Sequence, residues 1–159
     1  MIKVITGGTG LIGSAFEDGI KLNSNRDLRD AHNAKYLLSL YKPKVVIHCA
    51  AKVGGVGANM QYPADFFMDN IRMNTNIIEA CHELKIPKVV SFLSTCVFPD
   101  KVEYPLDESK IELGPPHSSN YAYAYAKRMA DVQIRAFNQQ YGTKYFSVIP
   151  CNVYGPNDN

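Results

Sequence analysis

The chemistry-bearing residues of this chain fall into three groups. In YAYAYAK, Tyr123 stands four residues before Lys127, so on a helix the two share one face a turn apart; Tyr121 and Tyr125 lack that relation. An ammonium held near a phenol favours the phenolate and lets tyrosine exchange a proton near neutral pH. The same spacing is common on helices that do no chemistry, so its meaning depends on what surrounds it. Upstream, Ser94 closes the apolar run KVVSFLS, where its hydroxyl can reach the same crevice. At the amino terminus, IKVIT runs into TGGTGLIG, which sets Gly7, Gly10 and Gly13 where a strand gives way to a helix. Gly7 permits the tight turn, Gly10 lets backbone N–H groups approach a pyrophosphate, and Gly13 lets the helix lie against the sheet. The sequence predicts a dinucleotide site.

The elements that position these groups are legible as well. Four Val- and Ile-rich runs, Ile2 to Thr6, Lys44 to Ala50, Lys88 to Ser94 and Tyr145 to Pro150, are nearly continuous, as strands buried on both faces are. Helical spacing separates them over Leu11 to Gly19, Ala31 to Tyr41, Met68 to Leu84 and Tyr123 to Tyr141. The alternation predicts one domain over residues 1–159, a Rossmann-like doubly wound parallel α/β sheet with helices on both faces. One stretch does not fit. Lys21 to Asp30, KLNSNRDLRD, has no strand-like run, so the second strand is expected to be abbreviated, degenerate or absent. Loops follow at Gly54 to Pro63 and Pro99 to Asn120.

Composition narrows the partners. The chain has 159 residues, 46% hydrophobic and 20% charged, with formal net charge +2 and both signs scattered. No basic stripe suggests nucleic acid, and no apolar run is long enough for a membrane span. Met1 leads directly into a strand-like segment, and a cytoplasmic location is the default expectation. Cys49, Cys81, Cys96 and Cys151 form no CxxC pair, so neither a metal site nor a redox dithiol is expected, and three of the four are expected to be buried.

At the adenosine end, Asp27 and Leu28 are placed beside the adenine. Arg26 is either a partner for a 2′-phosphate or a solvated surface charge. No acidic residue closes a second strand to take ribose hydroxyls, which favours NADP(H) over NAD(H). His48 is read as structural, and His117 has no assigned role.

Together, TGGTGLIG, HCAAKVGG, STCVFPD, YAYAKR and IPCNVYGPNDN resemble the GDP-L-fucose synthase family of the extended short-chain dehydrogenase/reductases, over nearly the whole chain. The resemblance implies 3,5-epimerisation of GDP-4-dehydro-6-deoxy-D-mannose followed by NADPH-dependent reduction of its C4 ketone. It implies that Cys96 is the epimerisation base, that Tyr123 protonates the ketone oxygen, and that Ser94, with Thr95 able to share its role, hydrogen-bonds that oxygen. Lys127 would lower the tyrosine pKa and bind ribose hydroxyls. Around the cofactor the resemblance sets the loop Gly7, Gly8, Thr9, Gly10, Leu11, Ile12 and Gly13. Ala50, Ala51 and Leu93 join them, as does the nicotinamide-contacting stretch Pro150, Cys151, Asn152 and Val153, where Asn152 supplies an amide or caps a turn.

The family's general-acid histidine and its carboxyl-terminal substrate domain would lie beyond Asn159, so the 159-residue chain is expected to turn over little. Relatives dimerise through two long helices, here Met68 to Leu84 and Tyr123 to Tyr141, with Met73 and Met129 suited to a packed surface. Another nucleotide-sugar epimerase or dehydratase, or a non-catalytic dinucleotide-binding module, remain the alternative readings.

Overall fold

The structure is a computed structural model and describes residues 1–156, so the last three residues of PCNVYGPNDN, and with them the end of the expected 1–159 domain, lie outside the described residues. Its frame is a parallel five-stranded sheet: β1 (Lys3–Thr6), β2 (Ile20–Leu22), β3 (Val45–His48), β4 (Lys88–Phe92) and β5 (Lys144–Val148), in the order β2-β1-β3-β4-β5. The register aligns Val4, Val46, Val89 and Tyr145 across four strands, all of them buried. These residues share a core with Leu37, Leu38, Ile77, Ile78, Cys81 and Ile134 from the helices. Each such aliphatic side chain, fully buried, stabilises the fold by about 1.5–3 kcal/mol.

The helices are α1 (Leu11–Ser14), α2 (Ala31–Tyr41), α3 (Val56–Gln61), α4 (Pro63–Glu83) and α5 (Tyr121–Tyr141). Asp30 starts α2 by accepting the Asn33 N–H at 2.7 Å, and Lys42 ends it in the left-handed region. Pro63 opens α4 at a position where the missing N–H costs nothing, so the helix begins well before the predicted Met68. Gly142, at φ +67°, ends α5. The short α3 occupies what the sequence presents as loop.

Right-handed crossovers fix the layers. The chain steps from β1 outward to β2, then reverses to β3, β4 and β5, so α2, α4 and α5 lie on one face and α1 on the other. Accordingly α2 packs on α4 and α4 on α5. The expectation of helices on both faces is therefore met on one side by a single turn. The chain must return to β2 by Ile20, and the helix predicted through Gly19 stops at Ser14. On that thinly covered face Ile5 and Ile47 are buried, Phe16 sits edge-on to Phe92 with centroids 6.4 Å apart, and Phe146 is half exposed.

The second strand exists but is three residues long and takes in only the first two residues of the polar stretch; it pairs Val4 with Ile20 and Thr6 with Leu22. At the opposite edge, Asn138 of α5 reaches over β5. Its amide donates to Tyr145 O at 2.7 Å and accepts from Tyr145 N at 3.1 Å.

Candidate functional site

A groove of about 890 Å³ runs along the carboxyl ends of the strands, where open α/β sheets bind ligands. The glycine loop forms one wall by close backbone contact. A Cβ on Gly13 would lie 2.2 Å from Gly7 O, and one on Gly7, at φ +64°, 2.8 Å from the Ala50 backbone. By contrast a Cβ on Gly10 would meet only Gly7 O, at 3.4 Å, which leaves its backbone open to the groove. Thr9, Leu11 and Ile12 complete that wall, with Ala50 and Ala51 from the β3 end opposite and Leu93 and the segment Pro150 to Val153 at the far end. Gly8 is the exception. It is buried beneath the loop, its N–H bonded to Leu22 O at 2.8 Å, and it pins the loop to β2 without lining the groove.

Ser94, Thr95 and Tyr123 face the groove. Ser94 accepts the Cys96 N–H at 3.5 Å and so starts a 3-10 turn, Thr95–Val97, that carries Cys96. Cys96 and Lys127 stand behind this front. The Lys127 ammonium is buried, donates to Phe92 O at 2.8 Å and lies 5.8 Å from the centre of the Tyr123 ring. Burial lowers its pKa to about 8, with the Cys96 and Cys49 thiols opposing.

Tyr123 is pushed the other way. Burial raises the phenol and neighbouring Cys96 adds to the shift, while the Lys127 ammonium is bonded to a backbone carbonyl. The Cys96 thiol is likewise raised by burial, against opposing contributions from Ser94, Lys127 and Arg128.

His48 proves structural. Fully buried, it contacts Thr6 Oγ1 through Nδ1 at 2.7 Å and Asn74 Oδ1 through Nε2 at 3.0 Å. Asn74 Nδ2 donates onward to Ala126 O at 3.3 Å, which ties β1, β3, α4 and α5 together beneath the groove. The pKa of His48 falls to about 4, chiefly by burial and then by the Lys127 charge, so the ring is neutral. His117 is on the surface, where its Nδ1 accepts the Ser119 N–H. Of the cysteines only Cys81 is buried; Cys49 and Cys96 are half covered and Cys151 is exposed, fewer than the three expected inside.

The other end of the groove holds Arg26, Asp27 and Leu28, with Asn23 and Ser24 beside them. The Asp27 carboxylate is already engaged: Arg29 grips both its oxygens at 2.9 Å and also reaches Asp69 at 3.3 Å. Lys52 donates to Asp69 at 2.9 Å. The sequence reading passed over Arg29, Lys52 and Asp69. Lys52 lies within HCAAKVGG, a motif at a strand end and hence a findable position, whereas Asp69 comes to the groove only through the packing of α4. Among the described residues no cluster of ligating side chains could hold a metal ion.

A parallel sheet with a glycine-walled groove, and a Ser, a Tyr and a Lys gathered at one end of it, defines a nucleotide-dependent short-chain dehydrogenase/reductase architecture. Residues 3–159 match the NAD dependent epimerase/dehydratase family, and the chain belongs to that family. It is 47% identical to GDP-L-fucose synthase of Dictyostelium discoideum and 47% identical to a probable GDP-L-fucose synthase of Drosophila melanogaster, each alignment covering 98% of this chain and 52% of the relative. The crystal structure of a GDP-L-fucose synthetase from Naegleria fowleri bound to NADP superposes with TM-score 0.90 at 46% identity, over 99% of this chain and 56% of that one. The chain thus spans about half the length of the curated relatives it matches. Both of those alignments run over 168 positions, more than the 159 residues present, so the relatives carry residues within the matched span that this chain lacks.

Proposed function

We propose that this chain is the cofactor-binding and catalytic portion of an enzyme that epimerises C3 and C5 of GDP-4-dehydro-6-deoxy-D-mannose and reduces the C4 ketone with NADPH to give GDP-L-fucose. The observation that carries the reading is the convergence of Ser94, Tyr123, Lys127 and Cys96 on one end of a groove whose other walls are the glycine loop and the β3 end. NADP(H) suits that groove: the backbone of Gly7, Gly10 and Gly13 admits a pyrophosphate where side chains would block it. Leu28 and Arg26 stand at the adenosine end, the guanidinium available to a 2′-phosphate. When bound, NADPH supplies the hydride that reduces C4.

The protein's own groups handle protons and orientation. As thiolate, Cys96 takes a proton from carbon beside the ketone, and hydrogen bonds from Ser94 and Tyr123 stabilise the enolate oxygen. In reduction Tyr123 gives its proton to the C4 oxygen, with Ser94 holding that oxygen and Thr95 beside it. Lys127 would bind the ribose hydroxyls of the cofactor, its ammonium standing 5.8 Å from the centre of the Tyr123 ring. Cys151, Asn152 and Val153 edge the nicotinamide end.

The active species is proposed to be a homodimer in the cytoplasm. Met68, Met129 and Val132 are exposed on α4 and α5, which supports pairing with a second copy, and four unpaired thiols suit a reducing compartment. Among the described residues no helix is long and apolar enough to cross a membrane.

The test has two arms. Fluorescence titration of the chain with NADPH is expected to saturate, and in the whole enzyme of which it is proposed to be a portion solvent deuterium is expected to enter C3 and C5 of the keto sugar, with entry lost in Cys96→Ser. Failure to bind NADPH overturns the reading. Saturable binding without exchange at millimolar substrate would instead support a non-catalytic binding module.

A further inference from the structure

Arg128, the residue after Lys127 on α5, is an arginine nine-tenths buried with no carboxylate bonded to it among the described residues. Its Nε–H donates to Val97 O at 2.6 Å, its Nη2 is buried with no hydrogen-bond partner among the described residues, and its guanidinium lies 5.3 Å from the centre of the Tyr125 ring. Val97 ends the 3-10 turn whose middle residue is Cys96. The turn is thus anchored at its start by Ser94, which accepts the Cys96 N–H, and at its end by Arg128. A buried guanidinium that spends only one donor on a carbonyl is costly on packing grounds alone, since burial leaves the rest of the cation poorly solvated.

We propose that Arg128 is a positioning residue for Cys96: its buried guanidinium clamps the Thr95–Val97 turn to α5 and presents a fixed positive charge to the thiolate that forms there. This rests on the role given to Cys96 above. Among the described residues four groups face the Cys96 thiol: Ser94 from its own turn, and Tyr123, Lys127 and Arg128 from α5. Ser94 and both cations favour the thiolate against the opposing effect of burial, while a Tyr123 phenolate would disfavour it. Glu112 and Tyr125 are the groups that face Arg128 from its other sides. The two cations divide the work. Lys127 is bonded to Phe92 O at the end of β4, whereas Arg128 is held by the backbone of the turn itself.

The test is the pH dependence of Cys96 alkylation by iodoacetamide, read at the Cys96 peptide by mass spectrometry so that Cys49, Cys81 and Cys151 do not contribute. Arg128→Gln keeps a donor for Val97 O and removes the charge. Its alkylation midpoint is expected to rise by about half a pH unit or more. Arg128→Lys keeps the charge and loses the planar fork. Its midpoint is expected to move less, while its limiting alkylation rate rises about threefold as the turn loosens. An unchanged midpoint in Arg128→Gln overturns the proposal, as does an equal rise in both variants. Should Arg128→Gln fail to fold by circular dichroism, an unchanged limiting rate in Arg128→Lys overturns it. The measurement uses neither NADPH nor sugar, so deuterium exchange that survives Cys96→Ser would sink the catalytic reading, whereas exchange lost in Cys96→Ser with an unshifted midpoint in Arg128→Gln would sink this one alone.

Discussion

Two crossovers of the same sheet are built in opposite ways. Between β1 and β2 the chain makes one helical turn whose single buried residue is Gly13, and its anchors are backbone contacts such as Gly8 N to Leu22 O. Between β4 and β5 it spends a capped 3-10 turn, long loops and a 21-residue helix with seven buried positions, anchored by Lys127, Arg128 and Asn138. On the proposed function, the difference follows from what each region must hold. A phosphate cradle is made of backbone N–H groups and empty space, which a few glycines supply. Proton transfer needs side chains fixed to fractions of an ångström, which requires a rigid helix and a packed core beneath it.

The largest expected contrast is in stability. Ile134→Ala, in the α5 core, should cost about 3 kcal/mol in urea unfolding, while Phe16→Ala in the short crossover should cost about 1 kcal/mol. Equal costs would mean that both crossovers support the fold alike. Next in size is Gly13→Ala, whose Cβ would clash with Gly7 O: NADPH affinity should fall about thirtyfold by fluorescence titration, whereas Tyr123→Phe leaves binding near its original value. Full binding by Gly13→Ala would show that the loop is not the cradle.

A smaller effect tests the packed side through pH. The folded state releases the Lys127 proton at a pKa of about 8, below the ordinary lysine value, so between about pH 8 and 9 the unfolded chain binds more protons at this group, which by itself raises stability by about 1 kcal/mol. The Cys49 and Cys81 thiols work against this rise over the same range and above it, because burial keeps them protonated in the fold while the unfolded chain ionises them. The stability of Lys127→Met should therefore fall by about 1 kcal/mol relative to the unsubstituted chain between about pH 8 and 9. Smallest of all, Arg26→Ala should weaken NADPH about threefold and leave NADH unchanged, since an exposed guanidinium contributes little beyond one screened phosphate contact.

What the sequence disclosed divides along the same line. The strands around Val4, Val46, Val89 and Tyr145 were readable because burial on both faces demands continuous apolar runs, and the glycine loop because its backbone approach excludes side chains. The strand Ile20–Leu22 was not, since three residues carry no period and its pairing with β1 defines it. The true start of α4 was hidden by Pro63, read as loop although a first-turn proline is compatible with a helix. Arg128 and Asp69 escaped because their importance arises from contacts across the fold, Val97 in one case and Arg29 and Lys52 in the other, that no local spacing announces.

Asn138 has a consequence for the behaviour of the protein in concentrated solution. By bonding both Tyr145 N and Tyr145 O, its amide stands where the peptide group of a sixth strand would, and so caps part of the free edge of β5 beside half-exposed Phe146. An uncapped edge next to an apolar ring is a template for strands of other molecules. Asn138→Ala should therefore lower solubility before it lowers stability, seen as light scattering that begins below the unfolding transition.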